Sequence, residues 1–310
     1  MVWGCMLSDL LKRFFLAILL CGLAVPAAAQ KPDVLVCQDW QQFRDADFVK
    51  HRTTLESLNP CVSYEPLLAG GIEWRVVRMQ RGPKIPRNAP LIVVLHDNED
   101  AALVGALSLL AIRDIQVIML DTEESRDWGG VDPNRLFVSP GSIINACPFP
   151  LQLDAAFAQG ILRDWSGVHP VISMHSNAPG IYGDGEGGQG SISMLRPAPN
   201  QLALPGRLDP GHPRLSDPDN MIFITGPAPA PSPIQQELVR RLREIGLNVL
   251  FSQVTPMTQD CSLSDFLTLR GQSDLYFNVE VEEGDDISAV TLVRRLLFAL
   301  ENGQSPRLRL

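Results

Sequence analysis

The sequence predicts an α/β domain over residues 30–310, with a mixed, mostly parallel sheet of about eight strands flanked by helices. Three observations predict it. Short apolar runs recur along the chain as LIVVL (91–95), IQVIML (115–120), VISM (171–174) and MIFIT (221–225), which is how strands buried on both faces read. Segments of helical period separate them, and alternation of strand and helix brings successive strands parallel. The 310 residues, 45% hydrophobic and 20% charged, suffice for one sizeable core or two small ones.

The amino terminus stands apart. Lys12 and Arg13 precede FFLAILLCGLAVPAAA (14–29), an apolar stretch ending in small residues, which describes a secretory signal peptide cut after Ala29. An uncleaved anchor is the alternative, but Pro26 and the alanines make a poor end for a spanning helix of about 20 residues. Removing residues 1–29 takes Asp9, Lys12 and Arg13 and moves the formal charge from -9 to -10. So acidic a chain argues against nucleic acid and against an anionic membrane face as partners, and no stable membrane association is expected after cleavage. Cys5 and Cys21 leave with the signal, while Cys37, Cys61, Cys147 and Cys261 remain. An even number in an oxidising periplasm or outside the cell points to two disulfides. Three connectivities are open, with Cys37–Cys61 and Cys147–Cys261 preferred.

In chain order, Val34 to Cys37 reads as a short strand and the polar run after it as helix-compatible, with His51 a solvated helix residue. Gly70-Gly71 introduces the alternating strand IEWRVVRM, and the prolines of RGPKIPRNAP (81–90) mark a loop. LIVVL then leads through His-Asp-Asn-Glu into an Ala/Leu-rich helix, Asp100 to Ile112. His96 and Glu99 therefore sit at the carboxyl end of a strand, where open α/β sheets put their chemistry. An imidazole and a carboxylate so spaced can share one cation, and zinc accepts both. Taken alone, the pattern equally describes an ordinary polar strand end.

IQVIML is the next strand. GGVDPNRLF (129–137) is a Gly/Pro loop carrying Asn134 beside Arg135. The planar guanidinium matches a carboxylate, the amide can add a donor, and Asp132 can orient the arginine; in isolation the loop reads as a surface turn. After a helix from Leu151 to Trp165, VISM places His175 at its carboxyl end as LIVVL places His96, while His169 opens its strand and reads as structural. Residues 183–233 are rich in Gly and Pro, a long loop region interrupted by MIFIT, with His212 a loop residue. PIQQELVRRLREIG (233–246) is an amphipathic helix, LNVLFS a strand, and DLYFNVEVEEG (274–284) a strand with Glu280 and Glu282 on one face. A carboxylate in so apolar a strand calls for a partner. A closing helix follows Asp285 and Asp286.

Taken in order, HDNE, DPNRLF, SMHSN and FNVEVEEG resemble the zinc carboxypeptidase superfamily, which includes the aspartoacylase and succinylglutamate desuccinylase branch, and in texture its exported bacterial members. The resemblance covers about residues 90–300 in short islands. It implies that His96, Glu99 and His175 bind Zn²⁺ with one position left for water, that Glu280 is the general base with Glu282 its rival, and that Asn134 and Arg135 hold a substrate carboxylate. The implied activity is zinc-dependent hydrolysis of an amide bond next to a free carboxylate, in a small peptide such as a peptidoglycan stem peptide. An N-acyl amino acid deacylase is the alternative within the superfamily, and a catalytically silent binding protein the alternative outside it. No motif fixes the oxyanion-stabilising arginine, although Arg126 is near in sequence, nor a tyrosine acid, for which Tyr182 and Tyr276 are the candidates.

Overall fold

Gly70 and Gly71, with φ of 61° and 77°, close a hairpin between β1 (Cys61–Ala69) and β2 (Ile72–Gln80), a turn that favours residues without a Cβ. A Cβ on Gly70 would stand 2.0 Å from the Gln152 carbonyl oxygen, whereas one on Gly71 would meet nothing. Gly70→Ala is therefore expected to cost about 2–4 kcal/mol and Gly71→Ala about 1 kcal/mol, read as a lower urea midpoint for the first at unchanged slope.

The structure, a computed structural model, describes residues 34–302 except 85, 87–88, 139–142, 144–145 and 179–191. The expected signal peptide and Tyr182 lie outside the described residues. From β2 the sheet continues through β3 (Leu91–Val94), β4 (Gln116–Asp121), β5 (Val171–Asn177), β6 (Gln201–Leu204), β7 (Met221–Gly226), β8 (Val249–Gln253) and β9 (Tyr276–Glu282). Its order is β1-β2-β4-β3-β5-β9-β7-β8-β6. Four neighbouring pairs are parallel and four antiparallel, so the expected mixed α/β sheet is present but is not mostly parallel. The β1–β2 hairpin reverses one edge, and β7 runs against β9 on the other side. Nine strands stand where about eight are expected; β1, with Pro66 inside it, is tolerated as an edge strand, and β6 is a short edge within the Pro/Gly-rich region.

The helices are α1 (Ala46–Lys50), α2 (Arg52–Leu58), α3 (Asp100–Leu110), α4 (Ala155–Ile161), α5 (Pro233–Glu244), α6 (Leu263–Leu269) and α7 (Asp286–Glu301). Strand side chains alternate between two cores, Ile92 and Val94 packing with α3, α5 and α7, and Leu91, Val93 and Leu95 with α4 and α6. Covering both faces explains the unbroken apolar runs of β3 and β4. Ser232 and Gln235 form a capping box and Pro233 opens α5, which is why that helix begins where its sequence indicates. Three expectations are corrected. Val34 makes an isolated bridge with Lys84 rather than opening a strand. The helix expected over 151–165 is only α4, because Asp154 caps it late and the chain then turns to carry Asp164 to Arg78, 3.2 Å away. The short α6 has no counterpart in the sequence reading.

Cys37–Cys61 and Cys147–Cys261 are paired, with Cα separations of 4.9 and 5.4 Å, inside the range that a disulfide spans. Among the described residues no helix is long and apolar enough to cross a membrane.

Candidate metal centre

The parallel strands β4, β3, β5 and β9 are consecutive neighbours, so their carboxyl ends share one edge of the sheet. Past β3 the chain places His96 in a turn and Glu99 at the start of α3. Past β4 it forms the loop of Arg126, Asp132, Asn134 and Arg135. β5 and β9 each carry their site residue at the fifth position, and His175 faces Glu280 in the β5–β9 register.

His96, Glu99 and His175 are buried and meet. His96 Nδ1 lies 2.8 Å from Glu99 Oε1 and 3.2 Å from His175 Nδ1, which is 3.0 Å from Glu99 Oε2. The outer ring nitrogens are also engaged: His96 Nε2 is 2.9 Å from Asp132 Oδ1 and His175 Nε2 is 2.9 Å from Ser173 Oγ. Ring protons on the Nε2 atoms would suit Asp132 and Ser173 and would turn both Nδ1 lone pairs inward. In that form two nitrogens and a carboxylate converge as a ligand set for a positive ion, whose place a ring proton shared with Glu99 takes when no ion is bound. Tetrahedral ligands at about 2.0–2.2 Å from an ion stand about 3.3–3.6 Å apart, close to the spacings seen. The donor set, two imidazoles and a carboxylate, is one that zinc accepts.

Electrostatics follow from the same contacts. Burial alone would disfavour a charged His96, but Glu99 and then Asp132 outweigh it and push the ring up to about 9. For Glu99, burial is overcome by His175 and His96, which hold the carboxyl far below its usual range. Asp132 is brought down to about 2, burial again being outweighed by His96 first and the arginines after it. Glu280 is fully buried and burial pushes its carboxyl up; His175 opposes this, the Glu99 charge adds to it, and Asn278 donates to its Oε1 at 2.7 Å.

A cavity of about 320 Å³ opens onto this centre, lined by Glu99, His175, Glu280, Asn134, Arg135 and Arg126, and also by Asp260 and Asp265. Among the described residues a larger cleft, of about 810 Å³, lies beside Asp45, but none of the three residues His96, Glu99 and His175 lines it. Arg135 faces the cavity, with one nitrogen on the Asn134 carbonyl at 2.8 Å and another 3.5 Å from Asp260. Asn134 divides its amide: Oδ1 accepts the Leu263 N–H at 3.1 Å while Nδ2 lies 3.5 Å from His175 Nε2. Glu282 does not line the cavity; its backbone N–H donates to Asn220 Oδ1 at 2.8 Å.

Some contacts differ from what the sequence suggests. Asp132, expected to orient Arg135, instead holds His96, while the Arg135 guanidinium rests on the Asn134 carbonyl and near Asp260; the Asp132 carboxylate also lies 3.6 Å from Arg126. Arg126 donates to Glu99 Oε1 at 2.8 Å. Tyr276 is buried at the foot of β9 and lines the cavity. Ser173, Asp260 and Asp265 are additions. Ser173 was legible as the residue two before His175 on the same strand face, whereas nothing local marks the two acids.

No family model matches the chain, and no curated protein matches it in sequence. Solved structures similar to it include a metallo-carboxypeptidase from Pseudomonas aeruginosa in complex with (2-guanidinoethylmercapto)succinic acid, at 14% identity, 84% of this chain, 69% of that one and a TM-score of 0.43. A carboxypeptidase A from Helicoverpa armigera is similar at 12% identity, 94% and 80% coverage and a TM-score of 0.44. An aspartoacylase family protein from Mesorhizobium loti is similar at 13% identity, 79% and 69% coverage and a TM-score of 0.39.

Proposed function

We propose that this protein is an exported zinc-dependent hydrolase that cleaves an amide bond adjacent to a free carboxylate, in the manner of a carboxypeptidase. The observation that carries the reading is the convergence of His96 Nδ1, His175 Nδ1 and the Glu99 carboxylate in one buried cluster, beside a cavity that Glu280 and Arg135 also line. When bound there, zinc supplies a Lewis acid for the scissile carbonyl and draws the pKa of water from 15.7 towards about 7. The residues of the chain do the rest. Glu280, its pKa raised by burial, is suited to take a proton from the attacking water and hand it to the leaving nitrogen, since a general base works best with its pKa near the working pH. Arg135 would turn its guanidinium from Asp260 to the substrate carboxylate, with the Asn134 amide beside it. Asp132 and Ser173 fix the rings by their outer nitrogens, as partners of metal-bound histidines do.

Two disulfides fit an oxidising compartment, and a periplasmic location would put peptidoglycan stem peptides within reach as substrates. The test compares turnover by the zinc-reconstituted protein of peptides with free and with amidated carboxyl ends, alongside N-acyl amino acids. Cleavage of only the free-ended peptides is expected. Equal cleavage of amidated peptides would overturn the role given to Arg135; turnover restricted to N-acyl amino acids would favour the deacylase; turnover of none would leave a binding protein.

A further inference from the structure

Behind the turn that carries His96 and Glu99 lies a second group of acids. Asp45, Asp47 and Asp97 each offer a carboxylate oxygen, and the three lie within 4.8 Å of one another. Asp47 is 2% exposed and Asp97 3%. One oxygen of Asp97 accepts the Thr122 and Glu124 N–H groups at 2.8 Å each. The other, Oδ1, is buried without a hydrogen-bond partner, and so is Oδ1 of Asp47. Orphaned buried carboxylate oxygens are costly and call for an explanation. The charges acting most strongly on Asp47 are those of Asp97, Asp45, Glu124 and Asp100, all negative.

We propose that Asp45, Asp47 and Asp97 form a second cation site, separate from the zinc centre and suited to calcium. Carboxylate oxygens without nitrogen or sulfur suit a hard cation, and calcium accepts six to eight oxygens in loose geometry, so waters fill the places that side chains leave. A cleft of about 810 Å³, lined by Asp45, Ala46 and Glu124, borders the group at Asp45. A neighbouring group, Asp47, His51 and Asp100, is less suited, because Lys50 already pairs with Asp100. An ion held by the three acids ties α1 to the residue immediately after His96, so it steadies the turn from which two zinc ligands project. A proton is its competitor: burial first, then Asp97 and Asp45, push the Asp47 carboxyl up to about 9.

The experiment titrates calcium into the full chain, freed of adventitious metal and then loaded with one equivalent of zinc, by calorimetry and by thermal melting. Wild type is expected to bind one further calcium ion with Kd of about 1 mM or tighter and to melt at higher temperature with it. Asp47→Asn and, separately, Asp45→Asn are expected to weaken calcium at least about tenfold at unchanged zinc content; whichever variant keeps the wild-type circular dichroism is decisive. Absence of calcium heat and of any melting shift in wild type at 10 mM (about tenfold above that Kd) would overturn the proposal and leave a shared proton in its place. So would a folded Asp47→Asn protein that binds calcium as wild type does. Because neither readout uses substrate, failure here leaves the hydrolase reading standing, and failure of that reading leaves this one.

Discussion

Glu280→Gln is expected to lower turnover of a cleaved substrate by about 10²–10⁴-fold, the contribution of a positioned general base, with zinc content and melting temperature close to wild type. The substitution keeps the shape and the hydrogen bond that Asn278 donates to Oε1, and it removes only the ability to accept a proton at pH 7. Glu280 does not contact the ligand atoms directly in the network of His96, Glu99 and His175, so zinc binding is expected to survive. Metal analysis and steady-state kinetics on the same preparation check both halves. A variant as active as wild type would move the proton transfers elsewhere, and Glu282, on the same strand but outside the cavity, would then need testing.

His175→Ala is expected to reduce zinc to well under one equivalent and turnover to background. Three protein ligands with an open position are the usual complement of a catalytic zinc site; losing one leaves a two-point site that competes poorly with free buffer ligands. The side chain also supports Glu99, whose Oε2 is shared between His175 Nδ1 and the Ser176 N–H. Glu99 keeps Arg126 and His96 in the variant, so the fold is expected to persist, which circular dichroism checks. Zinc retained at one equivalent would remove His175 from the ligand set.

The strand-end residues were legible because period and position together placed them. Apolar runs identify β3, β5 and β9, and anything polar at the end of such a run must face the same edge of the sheet when the strands are parallel. His96, Glu99, His175 and Glu280 come together for that reason. Arg126 and Asp132 reach Glu99 and His96 across a loop, 27 and 36 positions away, and loops carry no period that would foretell such a contact. Asp260 reaches the cavity from the turn before α6 and Asp265 from its first turn, in a seven-residue helix too short to show a clear apolar stripe. Likewise β1 hides behind Pro66, and β6 behind the surrounding prolines, because edge strands need no two-sided apolar pattern. The even split between parallel and antiparallel pairs was missed for a related reason: strand direction depends on which neighbour a strand chooses, and β7 chooses β9 although α5, β8 and α6 lie between them in sequence.

The last strand in sequence is not at the rim of the sheet: β9 is inserted between β5 and β7. A growing polypeptide therefore leaves a gap in the middle of the sheet until nearly the whole of it has been made, and the acid at position 280 is among the final groups to reach the histidines. Fragments truncated before β9 keep His96, Glu99 and His175 but lack Glu280 and leave the edges of β5 and β7 unpaired. Such an insertion delays completion of the cavity wall until folding is finished.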